Sequence, residues 1–329
     1  MPHTPDESGT PRSACRELRD LVNDSGRIKA RLMRVPIEWR EFCAALDVIG
    51  DTEDAIETYL GRIRALGETA PISGSPDYLG VYGVLQALVV QQDAVRAILR
   101  GAGVTTSTLD PRLREIRNIR NLSVGHPTRA VKHPGKPSSF IVQISMSQSG
   151  FDLLSLYEDG RQEVRRIDLF TRIAEQRSVI AKAINGTRGH LQDEDREHRR
   201  RYRETMLADT LADARYHLGK VYDLIHSKEG RRHVAELGAL HMPSIVKALR
   251  RAESDLRERG DFESYETTLV PSLKVAHHCA ERLSAYFAGS YSVDKAQLDA
   301  DAFYRALSNI VDEFQSLLRD IDEEYRDKS

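Results

Sequence analysis

The sequence has only three cysteines, no long apolar run and almost no net charge, and each shortage excludes a class of protein. Cys15, Cys43 and Cys279 lie far apart and cannot all pair, which argues against a disulfide-stabilised secreted fold. No segment approaches the roughly 20 apolar residues of a membrane-spanning helix. The first residues lack the apolar core of a signal peptide, so we expect a cytoplasmic protein without a membrane anchor.

The near balance of charge excludes a generic binder of polyanions. The chain has 48 Lys and Arg against 50 Asp and Glu, a formal net charge of -2 at pH 7. Any contact with nucleic acid must therefore come from a local patch. One such patch spans residues 112–136, where Glu115 is the only acid. Its basic members are Arg112, Arg114, Arg117, Arg120, Arg129, Lys132 and Lys136.

Apolar residues recur at steps of three and four along most of the chain, which predicts amphipathic helices. The predicted helices cover residues 36–66, 77–100, 170–184, 207–225, 234–256, 269–287 and 303–321. The helix at 77–100 is apolar on more than one side, so we expect it to be central and buried. Asp110 followed by Pro111 predicts an N-cap and first turn for a further helix.

A two-residue alternation replaces the helical period after residue 137. Phe140, Val142, Ile144 and Met146 fall on one side of a predicted first strand, in which Ile141 is the imperfect member. Residues 151–157 predict a second strand and residues 162–169 a third, joined by a tight turn at Asp159 and Gly160. We therefore expect a small antiparallel meander at about 138–168, inserted between helices.

The predicted fold class is mainly α, a helical bundle with a β-meander insertion followed by a second helical bundle. A chain of 329 residues is long enough for two cores. We assign residues 1–35 to a tail and first helix, and 36–190 to a helical domain. Residues 191–204 form a polar linker or solvated helix, and 205–329 a C-terminal helical domain.

The stretch "RNIRNLSVGHPTR", residues 117–129, contains the candidate reactive groups Arg120, Asn121 and His126. Cleavage of RNA by its own 2'-hydroxyl requires proton transfer and stabilisation of charge on phosphoryl oxygens. A histidine exchanges protons near neutral pH, and an arginine remains charged and binds phosphate. An asparagine beside the arginine can orient either group. In a straight α-helix Arg120 and His126 lie roughly 120° apart around the axis. A break at Gly125, supported by Pro127, would bring them together.

The same residues also fit a structural explanation. Gly followed closely by Pro ends many helices, a late His complements the helix dipole, and most helical Arg side chains are solvated. Gln91, Gln92 and Asp93 interrupt the apolar helix and either orient the arginine or satisfy neighbouring helices. The sequence "HHC" at 277–279 points to different sides of a helix, so we do not expect a metal site there.

The order Arg120, Asn121, short spacer, His126 resembles the Arg, four to six residues, His motif of the HEPN superfamily. The phrase "LREIRNIRNLSVGHP" is similar to that motif in its bacterial context, and "YLGVYGVLQALVVQQDAV" to the helix that precedes it. The resemblance covers roughly residues 36–185.

The resemblance implies a metal-independent ribonuclease without cofactors, in which Arg120, Asn121 and His126 are catalytic. We expect Arg117, Arg129 and Lys132 to bind the RNA substrate. In HEPN proteins the Arg and His residues of two units face one another across a shared cleft. Because this chain has one motif, the resemblance implies a homodimer or a partner chain. Toxin-antitoxin systems and phage defence are the usual settings, with a possible cognate inhibitor. Thr128 departs from the Tyr that often follows the His in toxins paired with nucleotidyltransferase antitoxins.

Two other hypotheses stay open from the sequence. In the first, a non-catalytic module uses the same basic edge to bind nucleic acid or a nucleotide, while the C-terminal helices recruit a protein partner. In the second, the chain is a purely structural helical adaptor. Cleavage of RNA in the presence of a chelator separates the enzyme from both.

Overall fold

The computed structural model describes residues 9–66, 78–105, 110–125, 137–147, 149–290 and 296–326. Over this part of the chain the protein is mainly helical, with one small antiparallel sheet. The helices are α1 (Pro11–Asp24), α2 (Gly26–Met33), α3 (Pro36–Leu66), α4 (Tyr78–Gly101), α5 (Pro111–Arg120), α6 (Leu169–Tyr202), α7 (Ala212–Ile225), α8 (Arg231–Arg259), α9 (Phe262–Phe287) and α10 (Ala296–Arg326). The strands are β1 (Ser138–Ile141), β2 (Gly150–Leu156) and β3 (Gln162–Asp168).

The chain divides into two compact units, residues 1–193 and 194–329. The division falls within α6. The polar stretch for which the sequence predicted either a linker or a solvated helix is helical as far as Tyr202. None of the helices in the described residues combines the length and the apolar character needed to cross a membrane.

The N-terminal region differs from the predicted tail and single helix. Residues 11–33 form two helices because Ser25 ends α1 and its side chain accepts a hydrogen bond from the Ile28 N–H at the start of α2. Leu18 and Ile28 are buried against α3 in the core of the first unit. These helices are therefore part of that core.

Helix α4 is central to the first unit, as its apolar sequence predicted. Val84, Leu85 and Leu88 are buried in one part of the core and Val95 and Ile98 in another. Helix α3 packs extensively against α4. A helix buried on several sides leaves its polar residues facing other helices rather than water, and this places Gln91 and Gln92 inside the protein.

The sheet is the predicted meander, with strand order β1-β2-β3 and antiparallel pairing throughout. The predicted first strand was wrong beyond Ile141, since residues 143–145 form a 3-10 turn. The Ser145 N–H donates to Val142 O, and Ser145 Oγ accepts from the Asp152 N–H at 2.8 Å, which draws the chain out of the strand. In β1 the buried face is the one that contains Ile141, not the predicted face that contains Phe140. Ile144, also on the predicted face, is 96% exposed.

The second unit is a bundle of α7 to α10 whose core consists of the apolar stripes read from the sequence. Leu211, Leu218 and Val221 of the first stripe are buried with Leu307 and Phe314 of the last. Cysteine contributes to both units as an apolar side chain. Burial raises the pKa of the Cys15 thiol to about 12, and all three cysteines are unpaired.

A buried ion pair fixes one end of the second unit. Arg259 and Asp322 are each about 3% exposed, and Arg259 Nη1 donates to Asp322 Oδ1 at 3.0 Å. The same guanidinium donates to Thr205 O, while the carboxylate accepts the backbone N–H groups of Leu207 and Ala208. Asp322 therefore supplies acceptors for a cation and two main-chain donors at once.

We predict that Asp322→Ala lowers the free energy of unfolding by about 3–5 kcal/mol, because the buried Arg259 loses the nearer of its two carboxylates and two backbone N–H groups lose their acceptor. Chemical denaturation followed by circular dichroism measures this loss. The control is Asp312→Ala on the same helix, which breaks an exposed ion pair with Arg215 and should cost about 0–1 kcal/mol. Equal effects of the two substitutions would show that the buried ion pair does not stabilise this unit.

Candidate functional site

The motif helix α5 is set in place by its first turn and its apolar face. Asp110 Oδ1 accepts from the Arg112 N–H at 2.8 Å, and Pro111 occupies the first turn, as predicted. Leu113, Ile116 and Ile119 recur every three residues and are buried. The side chains between them are left on the flanks of the helix, and these include the two arginines of the motif.

The winding of the helix changes immediately after Arg120. Residues Asn121–Gly125 form a π-helical turn, in which the Ser123 Oγ donates to Ile119 O at 2.7 Å. Single π turns are rare in helices overall, but those that do occur are frequently found at functional sites. The change in winding therefore begins four residues before Gly125, and because the residues after Gly125 lie outside the described part of the chain, the predicted break there stays a prediction. His126 lies outside the described residues.

Arg120 is held by two neutral amide groups. Its Nε and Nη2 donate to Gln86 Oε1 at 3.0 and 2.7 Å, and its Nη1 donates to Asn121 Oδ1 at 3.0 Å. Asn121 thus orients the arginine that precedes it. Within the part of the chain that the structure describes, no carboxylate forms an ion pair with Arg120, so its positive charge is directed but not neutralised.

Gln86 is the site residue that the sequence reading missed. It lies on α4 and is exposed, yet it accepts two of the three hydrogen bonds that fix Arg120. Asp93, which binds Arg117, is seven residues further along the same helix. A spacing of seven residues places two side chains on one face of a helix. Two polar residues at that spacing in an apolar helix were the available signal.

Arg117 has a different environment, although it lies one turn before Arg120. Its Nη2 donates to Asp93 Oδ1 at 2.5 Å, and its Nε donates to Gln92 Oε1 at 3.2 Å. The guanidinium is therefore paired with a carboxylate on one side and anchored to the core on the other. Gln92 and Asp93 therefore orient an arginine of the motif, as one of the two sequence interpretations expected, but the arginine that they orient is Arg117 and not Arg120.

Behind Arg117, a chain of amide groups crosses the core of the first unit. Gln92 Nε2 donates to Gln176 Oε1 at 2.8 Å, and Gln176 Nε2 donates to Gln91 Oε1 at 2.9 Å and to Leu88 O at 2.8 Å. Gln91 Nε2 then donates to Glu53 Oε1 at 2.7 Å. These three glutamines are at most 1% exposed. Every donor in the chain points from the arginine toward the carboxylate.

The other end of this amide chain is also neutralised. Arg177 Nη2 lies 2.9 Å from Glu53 Oε2 and 2.7 Å from Glu57 Oε1. Glu53 is only 3% exposed, and a carboxylate at that depth requires such a partner. The amide dipoles therefore run head to tail between a paired cation and a paired anion, an arrangement in which each hydrogen bond strengthens the next.

Ion pairs offset the charge of two arginines of the predicted basic patch, Arg112 and Arg117. Arg112 binds its own cap residue Asp110, which lowers the pKa of that carboxyl through a side-chain hydrogen bond. The acid of the segment, Glu115, binds Arg165 of β3. Arg129 and Lys132, which the sequence places with the substrate, lie outside the described residues, so their role stays a prediction.

The sheet lies next to the motif. Strand β1 packs beside the π turn, and Phe151 of β2 and Ile167 of β3 share a core with Ile116 and Ile119 of α5. The ion pair of Arg165 with Glu115 joins β3 to the same helix. The meander therefore borders the motif helix and its π turn.

We predict that Gln176→Leu destabilises the protein by about 1–3 kcal/mol for each buried polar group that it leaves without a partner. The substitution removes the partners of Gln91 Oε1, Gln92 Nε2 and Leu88 O. Denaturation with urea gives the measurement, and Gln162→Leu at the exposed start of β3 is the control. If both variants unfold at the same midpoint, the amide chain contributes nothing to stability.

No protein-family model matches this chain, and comparisons with curated proteins and with solved structures find no match. The resemblance to the HEPN superfamily therefore rests on residues 113–127 and on the helix sequence before them. What the structure adds to those residues is a guanidinium at Arg120 that is fixed in direction by Gln86 and Asn121 and that forms no ion pair with a carboxylate among the described residues.

Proposed function

We propose that this chain is a metal-independent endoribonuclease of the HEPN type. The observation that carries the proposal is Arg120, whose guanidinium is oriented by the neutral acceptors Gln86 and Asn121. An arginine that serves only to solubilise a helix has no need of two amide anchors. An arginine that must meet a phosphate needs a fixed direction and a charge that no carboxylate has neutralised.

The chemistry follows from the groups available. The 2'-oxygen of the RNA attacks the adjacent phosphorus, and the bond from phosphorus to the 5'-oxygen breaks. His126 would accept the 2'-hydroxyl proton and then donate a proton to the leaving 5'-oxygen, and the products are a 2',3'-cyclic phosphate and a 5'-hydroxyl. Arg120 has five N–H groups, of which three are used in its described hydrogen bonds. One N–H on Nη1 and one on Nη2 remain for the phosphoryl oxygens.

The other predicted residues receive supporting roles in this proposal. Asn121 positions Arg120 through the bond to Nη1. Arg117 lies one turn away on the same helix and contributes positive potential, which its ion pair with Asp93 reduces. Arg129 and Lys132 bind the RNA backbone. The proposed setting is the cytoplasm, in phage defence or a toxin-antitoxin system.

The proposal includes an assembly and a domain assignment. Because the chain has one motif, a second copy would supply the facing site, so the active species is a homodimer. Residues 36–190 would form the HEPN-like domain and 205–329 a second helical domain. A cognate inhibitor is part of the toxin-antitoxin setting.

The alternative function, a non-catalytic module with a protein partner, has one observation in its favour. The outer face of the sheet carries an apolar row across all three strands, formed by Phe140, Leu154 and Val164 in direct register. Phe140 is 44% exposed and Val164 is 63% exposed. An apolar row on the solvent side of a sheet is a typical contact for another protein.

We predict that the wild-type protein cleaves single-stranded RNA in excess chelator, and that Arg120→Ala and His126→Ala each reduce the rate by about 10²–10⁴-fold. The products should have 2',3'-cyclic phosphate ends, which gel analysis of end-labelled RNA after phosphatase treatment distinguishes. The control is Arg100→Ala, which removes an exposed arginine near the end of α4, outside the basic patch, and should leave the rate unchanged.

The same assay separates the alternatives. Binding of RNA without cleavage by the wild type supports the non-catalytic module, and neither binding nor cleavage supports the adaptor. Cleavage that persists in Arg120→Ala would refute the assigned site even if the protein is a nuclease.

We further predict that Gln86→Leu lowers kcat more than it raises KM, because Arg120 loses the acceptor for its Nε and Nη2 but keeps its charge. Gln86→Glu should also be slow, since a carboxylate at this position neutralises the guanidinium. Single-turnover kinetics on a short RNA measure both effects. Equal kinetics of wild type and Gln86→Leu would show that the orientation of Arg120 does not depend on Gln86.

A further inference from the structure

Two histidines that are distant in sequence face each other in the second unit. His217 lies on α7 and His241 on α8, and their Nδ1 atoms are 2.9 Å apart. The ring centroids are separated by 5.2 Å, with the planes tilted by 45°. Both residues are partly exposed, so the space between the rings is accessible from solvent.

The surroundings of the two rings keep them free of anions. Other histidines of this unit lie beside carboxylates, His226 next to Asp301 and His233 next to Glu229. Neither ring of the facing pair has an ion pair among the residues that the structure describes. An imidazole must be neutral to bind a metal ion, so the two rings can act as ligands only where they are unprotonated.

We propose that His217 and His241 bind a first-row divalent transition metal ion such as Zn²⁺ through their Nδ1 atoms, with water completing the coordination. At the usual Zn–N distance of about 2.0–2.1 Å, two nitrogens 2.9 Å apart subtend roughly 90° at the metal. Opening the rings by about half an ångström gives the tetrahedral angle. Each ring then carries its proton on Nε2, so the proton of the present hydrogen bond moves within one ring and none is lost.

The number of protein ligands determines the character of this site. No cluster of three or more potential metal ligands occurs in the described residues, so the site provides two. It therefore leaves open positions, unlike a structural zinc site with four protein ligands. A metal bound there joins α7 to α8, which stabilises the folded second unit by an amount that grows with the logarithm of the metal concentration above Kd.

The test is isothermal titration of the full-length protein with zinc chloride at pH 7.5. We expect His217→Phe and His241→Phe, which keep a ring in place without ligand atoms, each to lose one equivalent of zinc or to weaken it by at least about tenfold. His278→Phe, which changes an exposed histidine of the adjacent pair on α9, is the control and should bind as the wild type does. Circular dichroism verifies that each variant is folded.

Two further outcomes decide the proposal. Zinc should raise the thermal midpoint of the wild type and not of either ring variant, and this rise should disappear at pH 5.5, where protons compete for the nitrogens. The proposal is overturned if either ring variant retains every zinc equivalent of the wild type. Absence of zinc binding by the wild type at about 1 mM, a free energy of about -4 kcal/mol, would overturn it equally.

Discussion

The chain of glutamine amides through the first unit is the constraint on which its other features depend. A buried amide is costly unless both of its ends are bonded, and Gln91, Gln92 and Gln176 are bonded at both ends. The chain links α3, α4, α6 and α5 in one order and one register, because any slip would leave several groups unsatisfied at once. It ends on Arg117, so the motif helix is held at the depth and rotation that the core dictates.

This anchoring explains why two arginines one turn apart have different environments. Arg117 faces the amide chain and an aspartate, and its charge is used within the protein. Arg120 lies three residues further along the helix, and among the described residues its guanidinium donates to the amide oxygens of Gln86 and Asn121. The π turn that follows lets the helix widen where its hydrogen bonds change partners. Support from the core and an uncompensated charge thus occur side by side.

Elements whose signals are local were predicted well. The start of α5 depends on a cap residue and a proline that are adjacent in sequence, and the turn before β3 depends on Asp159 and Gly160. The first strand was overextended because alternation continues in the sequence past Ile141. There, a serine side chain competes for the Asp152 N–H, and alternation alone does not reveal that bond.

The sequence by itself determined most of the helical segments, where their apolar faces lie and which residues are chemically able to act, since these follow from residue type and spacing along one element. Only the tertiary structure decided which arginine is neutralised, that Gln86 orients Arg120, and that His217 meets His241. Such contacts join residues more than 20 positions apart on different helices. Their distances depend on how the helices pack against one another, and a pattern within a single helix contains no information about that packing.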